Sequence, residues 1–188
     1  RLRVVGAHSA SALCRMAAKY CVLDECDRYK ENPGYEGNAV SLVLARQTTF
    51  GPQRKAYICS TPTVDGNSEI HEWFLRGDQR YYHVPCPRCG EMQRLEWRDE
   101  QTKEYRLVWT PGHPDEAHYV CRFCGEAWDE AAKNTILPAG KWVASHPELG
   151  TGLITSYNLN ALYGPLGWLS WAELAAEWEA ANALAKTG

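Results

Sequence analysis

The sequence lacks any apolar run of the roughly 18 residues that a membrane-spanning helix needs. Its first residues also lack the layout of a secretory signal peptide. It contains neither an internal repeat nor a low-complexity tract, and its 45% apolar and 23% charged residues are close to the averages for globular domains. We therefore expect a soluble, intracellular protein with no membrane contact.

Strong positive charge is also missing. The net charge is −3, and residues 107–188 hold four Lys/Arg against nine Asp/Glu. Any DNA contact must therefore be local, or be made by segments outside this chain. The 188 residues are enough for one domain, or for one domain with an insertion. The chain starts without Met and stops directly after an amphipathic stretch, so we expect a fragment of a longer protein.

The first 80 residues alternate short apolar runs with helical patterns. The apolar runs are Val4–Val5, Tyr20–Leu23 and Tyr57–Cys59. Continuous apolar runs are typical of strands that are buried on both faces of a parallel sheet. This pattern predicts an α/β fold over residues 1–80.

The pattern changes after residue 80. Residues 81–130 show short alternating runs between turn residues, which predicts a small β module inserted into the α/β scaffold. Residues 131–188 return to a mixed pattern and finish in a helix. That helix opens with a capping box formed by Ser170 and Glu173.

Two C-x-x-C-G knuckles lie inside the predicted β module. Their cysteines are Cys86, Cys89, Cys121 and Cys124. Two such turns complete a tetrahedral shell of four thiolates with no open position, which predicts structural zinc. The alternative is a pair of redox dithiols or buried thiols. Nearby histidines that could replace a cysteine are His83, His113 and His118.

Polar side chains follow two of the predicted strands. The run Cys21–Glu25 has the form of a Walker B element, in which Asp24 would hold magnesium and Glu25 would orient the attacking water. The alternative is a strand that simply runs into a solvated turn. The next strand ends at Ser60, Thr61, Pro62 and Thr63, which resemble an ATP-coupling motif or, alternatively, form an ordinary turn.

These motifs occur in the order of a known family. The segments VLDECDRY, ARQTTFGPQRKAYICSTPTVDG and FLRGDQRYYHVPCPRCGEMQRLEW resemble the large terminase subunit of tailed phages, of the lambda-like GpA family. The resemblance implies a P-loop ATPase core over residues 1–80, a zinc ribbon over 81–130, and the end of the ATPase domain over 131–188, leading toward a nuclease domain. Asp24 and Glu25 would then be the Walker B acids, and Ser60–Thr63 the coupling element.

The resemblance also implies cofactors and partners. The full-length protein would use ATP and Mg²⁺, assemble as a homo-oligomer in the host cytoplasm, and act with double-stranded DNA, the small terminase subunit and the portal. The sequence departs from the family because no G-x-x-x-x-G-K-[ST] loop is present, so this chain alone should bind triphosphate very poorly. Two alternatives stay open: another DE-box motor such as a helicase half, and a non-enzymatic zinc-ribbon adaptor.

Overall fold

The computed structural model describes residues 2–15, 17–29, 37–64, 66–150 and 152–185. The chain divides into two compact units, residues 1–76 and residues 77–188. Among the described residues, no helix combines the length and the apolar character required to cross a bilayer.

The described residues of the first unit contain three short α-helices and two strands. In chain order they are α1 (Ala10–Cys14), β1 (Tyr20–Asp24), α2 (Ala39–Ala45), β2 (Lys55–Cys59) and α3 (Glu69–Arg76). The helices start at polar caps, because a side-chain oxygen satisfies a backbone amide of the first turn. Asn38 Oδ1 accepts from the Ser41 amide at 3.1 Å, and Ser68 Oγ accepts from the His71 amide at 3.2 Å.

Strands β1 and β2 pair in parallel, as the sequence predicts, with Asp24 opposite Cys59. The prediction that β1 is buried on both faces, however, is wrong. Leu23 is buried, but Tyr20 and Val22 are 65% and 74% exposed. The reason is that helices cover one face only of this two-stranded sheet within the described residues, where Leu23 packs with Val40 of α2.

The apolar run Val4–Val5 also departs from expectation. The described residues 2–9 contain no strand, and Val4 is 88% exposed. A short β-branched run needs a neighbouring strand to pair with, and no described strand pairs with it. The mixed α/β character is confirmed, whereas two paired strands do not by themselves define a P-loop sheet.

The second unit is built mainly from antiparallel strands. Its elements are β3 (Arg80–Pro85), β4 (Met92–Arg94), β5 (Leu107–Thr110), β6 (His113–Val120), β7 (Ala127–Trp128), α4 (Lys133–Ile136), β8 (Lys141–Ala144), β9 (Tyr157–Asn158) and α5 (Trp171–Ala185). One sheet has the order β4-β3-β8, with β9 pairing in parallel to β3, and the other has the order β5-β6-β7.

One core joins the two sheets to α4 and α5. It comprises Val84, Leu95, Leu107, Tyr119, Trp128, Ile136, Leu162, Tyr163 and Trp171. The capping box at α5 is confirmed, because the Ser170 amide donates to Glu173 Oε2 at 2.7 Å and the Glu173 amide donates to Ser170 Oγ at 3.1 Å. Residues 131–185 therefore pack with residues 80–128 in a single unit.

Candidate functional site

The acidic residues lie at the end of β1. Because β1 and β2 run in parallel, their carboxyl ends meet at one edge, and Asp24 lies opposite Cys59. Desolvation, and then the Asp24 carboxylate, raise the pKa of the Cys59 thiol, so it stays protonated and donates to Asp24 Oδ1 at 3.3 Å. Both Asp24 and Glu25 are exposed, as a site for a solvent-borne ligand requires.

Glu25 has a backbone conformation that non-glycine residues rarely adopt. Its φ is 55° and its ψ is 46°, in the left-handed region, and it precedes a 3₁₀ turn at Cys26–Arg28. This conformation costs a non-glycine residue about 1 kcal/mol or more. Its carboxylate lies 3.8 Å from the Arg28 guanidinium, an exposed pair that contributes little stability. A glycine or asparagine would adopt this backbone more easily, so the strain favours a role for the carboxylate itself.

The Ser60–Thr63 turn lies beside the acidic residues. It is hydrogen-bonded to Asp27, a residue that the sequence motifs did not single out. The backbone amide of Asp27 donates to Ser60 Oγ at 3.2 Å. The Asp27 side chain accepts from the Thr63 amide at 3.0 Å and from the Thr63 hydroxyl at 3.4 Å. Thr61 and Pro62 are exposed. The structure therefore brings the acidic strand end and the predicted coupling turn to the same edge.

The four knuckle cysteines form one cluster, with every pair of sulfurs within 4.8 Å. Cys86 Sγ lies 3.8 Å from Cys124 Sγ, and Cys89 Sγ lies 3.9 Å from Cys121 Sγ. A disulfide of about 2.05 Å is excluded at these distances. A tetrahedral zinc site with Zn–S bonds of about 2.3 Å puts its sulfurs about 3.8 Å apart, so the donor set fits this ion.

Each knuckle is the tight connection between two antiparallel strands. The first joins β3 to β4, and the second joins β6 to β7. Gly90 and Gly125 have φ values of 76° and 72°, and their amides donate to the carbonyls of Cys86 and Cys121. A side chain would strain these positions, which explains the glycine after each C-x-x-C.

A buried glutamine supports the second knuckle. Gln93 is 1% exposed, its Nε2 donates to Cys121 Sγ at 3.2 Å, and its Oε1 accepts from the Arg122 amide at 3.1 Å. Desolvation raises the pKa of Cys121, but hydrogen bonds from the Cys124 and Phe123 amides and from Gln93 outweigh it and lower the pKa to about 7. Hydrogen bonds of this kind orient a metal-binding thiolate. The motif analysis missed Gln93, since a single glutamine in an alternating strand carries no signal.

Arginines of the second unit are neutralised locally. Five of the six pair with acids: Arg80 with Asp78, Arg88 with Glu126, Arg94 with Glu96 and Glu100, Arg106 with Asp99 and Glu104, and Arg122 with Asp99. The sixth, Arg98, donates to the Lys103 carbonyl and lies over the Tyr105 ring. Phosphate-binding surfaces need basic groups that are free to pair with phosphates, and most arginines of this unit already pair with an acid.

Comparison with known proteins identifies the family of the chain. The profile of the phage terminase large subunit gpA ATPase domain matches residues 1–142. The chain belongs to this terminase family. The matched range includes the acidic strand end, the Ser60–Thr63 turn and all four knuckle cysteines, and the resemblance drawn from the motifs is confirmed.

Two curated terminase large subunits are similar to the chain. That of Escherichia phage lambda is 38% identical over 68 residues, which cover 33% of this chain and 10% of the phage protein. That of Enterobacteria phage P21 is 26% identical over 98 residues, which cover 49% of this chain and 14% of the phage protein. The chain thus spans about a tenth to a seventh of these terminase subunits. No solved structure matches it significantly.

Proposed function

We propose that this chain is the Walker B and coupling part of the ATPase in a terminase large subunit that packages phage DNA. The observation that carries the proposal is the shared edge, where Asp24 lies opposite Cys59 and the Ser60–Thr63 turn follows Cys59 directly. Acids and hydroxyl side chains at neighbouring parallel strand ends are the arrangement by which such ATPases contact the phosphates of a nucleotide. Family membership supports the same assignment.

The proposed roles follow from the chemistry of phosphoryl transfer. Magnesium neutralises the charge of the β- and γ-phosphates when Mg-ATP is bound. Asp24 would be the acid that holds this ion, and its Oδ1 accepts a hydrogen bond from the Cys59 thiol. Glu25 is the carboxylate that orients the attacking water, and Ser60–Thr63 respond to the γ-phosphate. Each of these steps requires an exposed group, and Asp24, Glu25 and the turn are exposed or only partly buried.

The remaining parts of the motor are proposed to come from the longer terminase subunit. This sequence has no phosphate-binding G-x-x-x-x-G-K-[ST] loop, so the chain alone should not hydrolyse ATP measurably. We propose that the whole subunit uses ATP and Mg²⁺ in the host cytoplasm, forms a homo-oligomer, translocates double-stranded DNA through the portal, and cuts concatemers with the small subunit as its partner.

For the cysteine cluster we propose structural zinc. Four thiols at tetrahedral spacing leave no open position for a substrate, which supports a structural role over a catalytic one. The ion would join the β3–β4 and β6–β7 hairpins on which the core of the second unit is built. Because the arginines of this unit are neutralised, we propose that the module braces the protein or contacts another protein, not that it tracks DNA.

The ATPase proposal is tested on the intact large subunit that contains this chain. Glu25→Gln should lower ATP turnover by about three orders of magnitude while nucleotide binding stays nearly unchanged, because the water is oriented only in the transition state. Asp115→Asn, an exposed position on β6, is the matched control and should keep full turnover. Wild-type turnover in Glu25→Gln, or robust ATPase activity from residues 1–188 alone, would show that the assignment is wrong.

A further inference from the structure

Asp27 uses both carboxylate oxygens to join two segments that are distant in sequence. Oδ2 accepts from the amide and the hydroxyl of Thr63, and Oδ1 accepts from the Ile70 amide at 2.7 Å. The backbone amide of Asp27 binds Ser60 Oγ. The residue therefore contacts both ends of the Ser60–Thr63 turn and the first turn of α3.

The bond to Ile70 is a tertiary contact and not a local helix cap. The local cap is Ser68, whose Oγ already accepts from the His71 amide. Asp27 comes from the turn after β1, 43 residues earlier, and adds a negative charge at the helix N-terminus, where it is favourable. The first turn of α3 is thus satisfied from two separate segments of the chain.

The carboxylate is ionised in this setting. Desolvation alone would raise the pKa of Asp27, but hydrogen bonds from the Ile70 amide, from Ser68 and from Thr63 outweigh it and hold the pKa below the usual range of an aspartate. Hydrogen bonds to a charged acceptor are stronger than neutral ones. Replacing the carboxylate by an amide would weaken all of these contacts together.

We infer that Asp27 is a positioning residue, which holds the Ser60–Thr63 turn and the start of α3 in one fixed arrangement against Asp24 and Glu25. The inference rests on the proposed ATPase role of that edge. Asp27 touches neither nucleotide nor water in this scheme. It sets the distance between the acids at the end of β1 and the hydroxyl side chains after β2, so turnover depends on it while nucleotide affinity does not.

The first experiment measures amide hydrogen exchange on residues 1–188. Asp27→Asn should speed exchange at both Thr63 and Ile70 by about tenfold or more, because hydrogen bonds to a charged acceptor are stronger than those to a neutral amide. Amides of the second unit, such as Leu107, should not change. The control Thr63→Val removes only the hydroxyl contact and should leave the Ile70 amide protected. Unchanged exchange at both amides in Asp27→Asn would overturn the inference.

The second experiment measures ATP turnover in the intact large subunit. Asp27→Asn should lower kcat about tenfold or more with KM for ATP within about twofold, and adding it to Glu25→Gln should cause no further loss, since both act on the same step. A residue that only stabilises the fold would lower the melting temperature and leave kcat unchanged well below it. That result would overturn the positioning role, as would an additive effect in the double variant.

The two proposals fail in different ways. Wild-type turnover in Glu25→Gln would remove the proposed ATPase role, whatever Asp27→Asn does. Loss of turnover in Glu25→Gln combined with wild-type kcat in Asp27→Asn would leave the ATPase role intact and overturn only the inference on Asp27.

Discussion

The two units differ in how much of their apolar surface they bury. In the first unit the buried cluster is small, with Leu23, Cys26 and Val40 at its centre. On the opposite face of β1 and β2, Val22 and Tyr57 are 74% and 64% exposed. A parallel sheet is normally covered on both faces, and among the described residues of this unit only one face of β1 and β2 is covered.

The second unit has a continuous core, and several polar groups are buried within it. Trp171 is fully buried, and its Nε1 donates to the Leu162 carbonyl at 3.0 Å. Even Lys133, at 1% exposure, is fully engaged, because its Nζ donates to Glu130 and to the Gly164 carbonyl and lies 4.8 Å from the Trp171 ring. A bound metal would add a link between two hairpins that contributes on the order of 10 kcal/mol.

The candidate nucleotide residues and the larger core therefore lie in different units. The candidate nucleotide residues lie in the unit with the thin core, on exposed strand ends, whereas the candidate metal site lies in the unit with the thick core. Segments that respond to ligands are drawn from the less stable parts of proteins, because they must move at low cost in free energy. We expect the first unit to be the responsive part and the second unit to be the rigid part.

The largest expected effect comes from the metal. Purified without chelator, the protein should hold one zinc per chain, measured by elemental analysis. Cys89→Ser should remove it, and because structural zinc contributes on the order of 10 kcal/mol to a small module, residues 81–128 should lose amide protection. Since the core continues into α5, we expect the loss to extend to Trp171, while the first unit keeps its protection.

The matched control for the zinc experiment is Cys14→Ser in α1, which lies outside the cluster and should keep one zinc per chain. Absence of zinc from wild-type protein would end the structural-zinc proposal. If the Cys89→Ser variant lost amide protection in both units, the two units would not have separate stabilities.

A smaller effect is expected from matched aromatic substitutions in the two units. Trp171→Ala should destabilise the second unit by about 3–5 kcal/mol, since it leaves a large cavity. Tyr57→Ala should change the stability of the first unit by no more than about 0.5 kcal/mol, because the side chain is 64% exposed. Seven of the eight tryptophans lie in residues 77–188, so tryptophan fluorescence follows the second unit and hydrogen exchange must follow the first. A large loss in Tyr57→Ala would mean that the outer face of the sheet is covered in solution.

Local features of the fold could be predicted from the sequence. The capping box at Ser170 and the parallel strands at Tyr20 and Tyr57 follow from patterns a few residues long. The cysteine cluster also follows, because C-x-x-C-G is a short motif with one geometry.

Contacts between distant segments could not be predicted in the same way. Exposure of Val22 depends on what covers the strand and not on the strand itself. The contacts of Asp27 join segments 36 and 43 residues apart, and an aspartate two residues after an acidic pair gives no sign of them. The packing of residues 131–185 against the β module likewise depends on long-range contacts among Ile136, Leu162 and Trp171. The roles of Asp24, Glu25 and Ser60–Thr63 stay predictions.

The smallest expected effect concerns strain at Glu25. Glu25→Gly relieves the strain of the left-handed backbone conformation. We expect it to stabilise the first unit by between zero and about 1 kcal/mol. The matched control Asp24→Gly lies in the extended backbone of β1, where glycine brings no relief, and should cost about 0.5–1 kcal/mol. Exchange rates of the amides in β2 measure both effects. Equal losses in the two variants would show that Glu25 is not strained, and backbone strain would then no longer support a chemical role for its carboxylate.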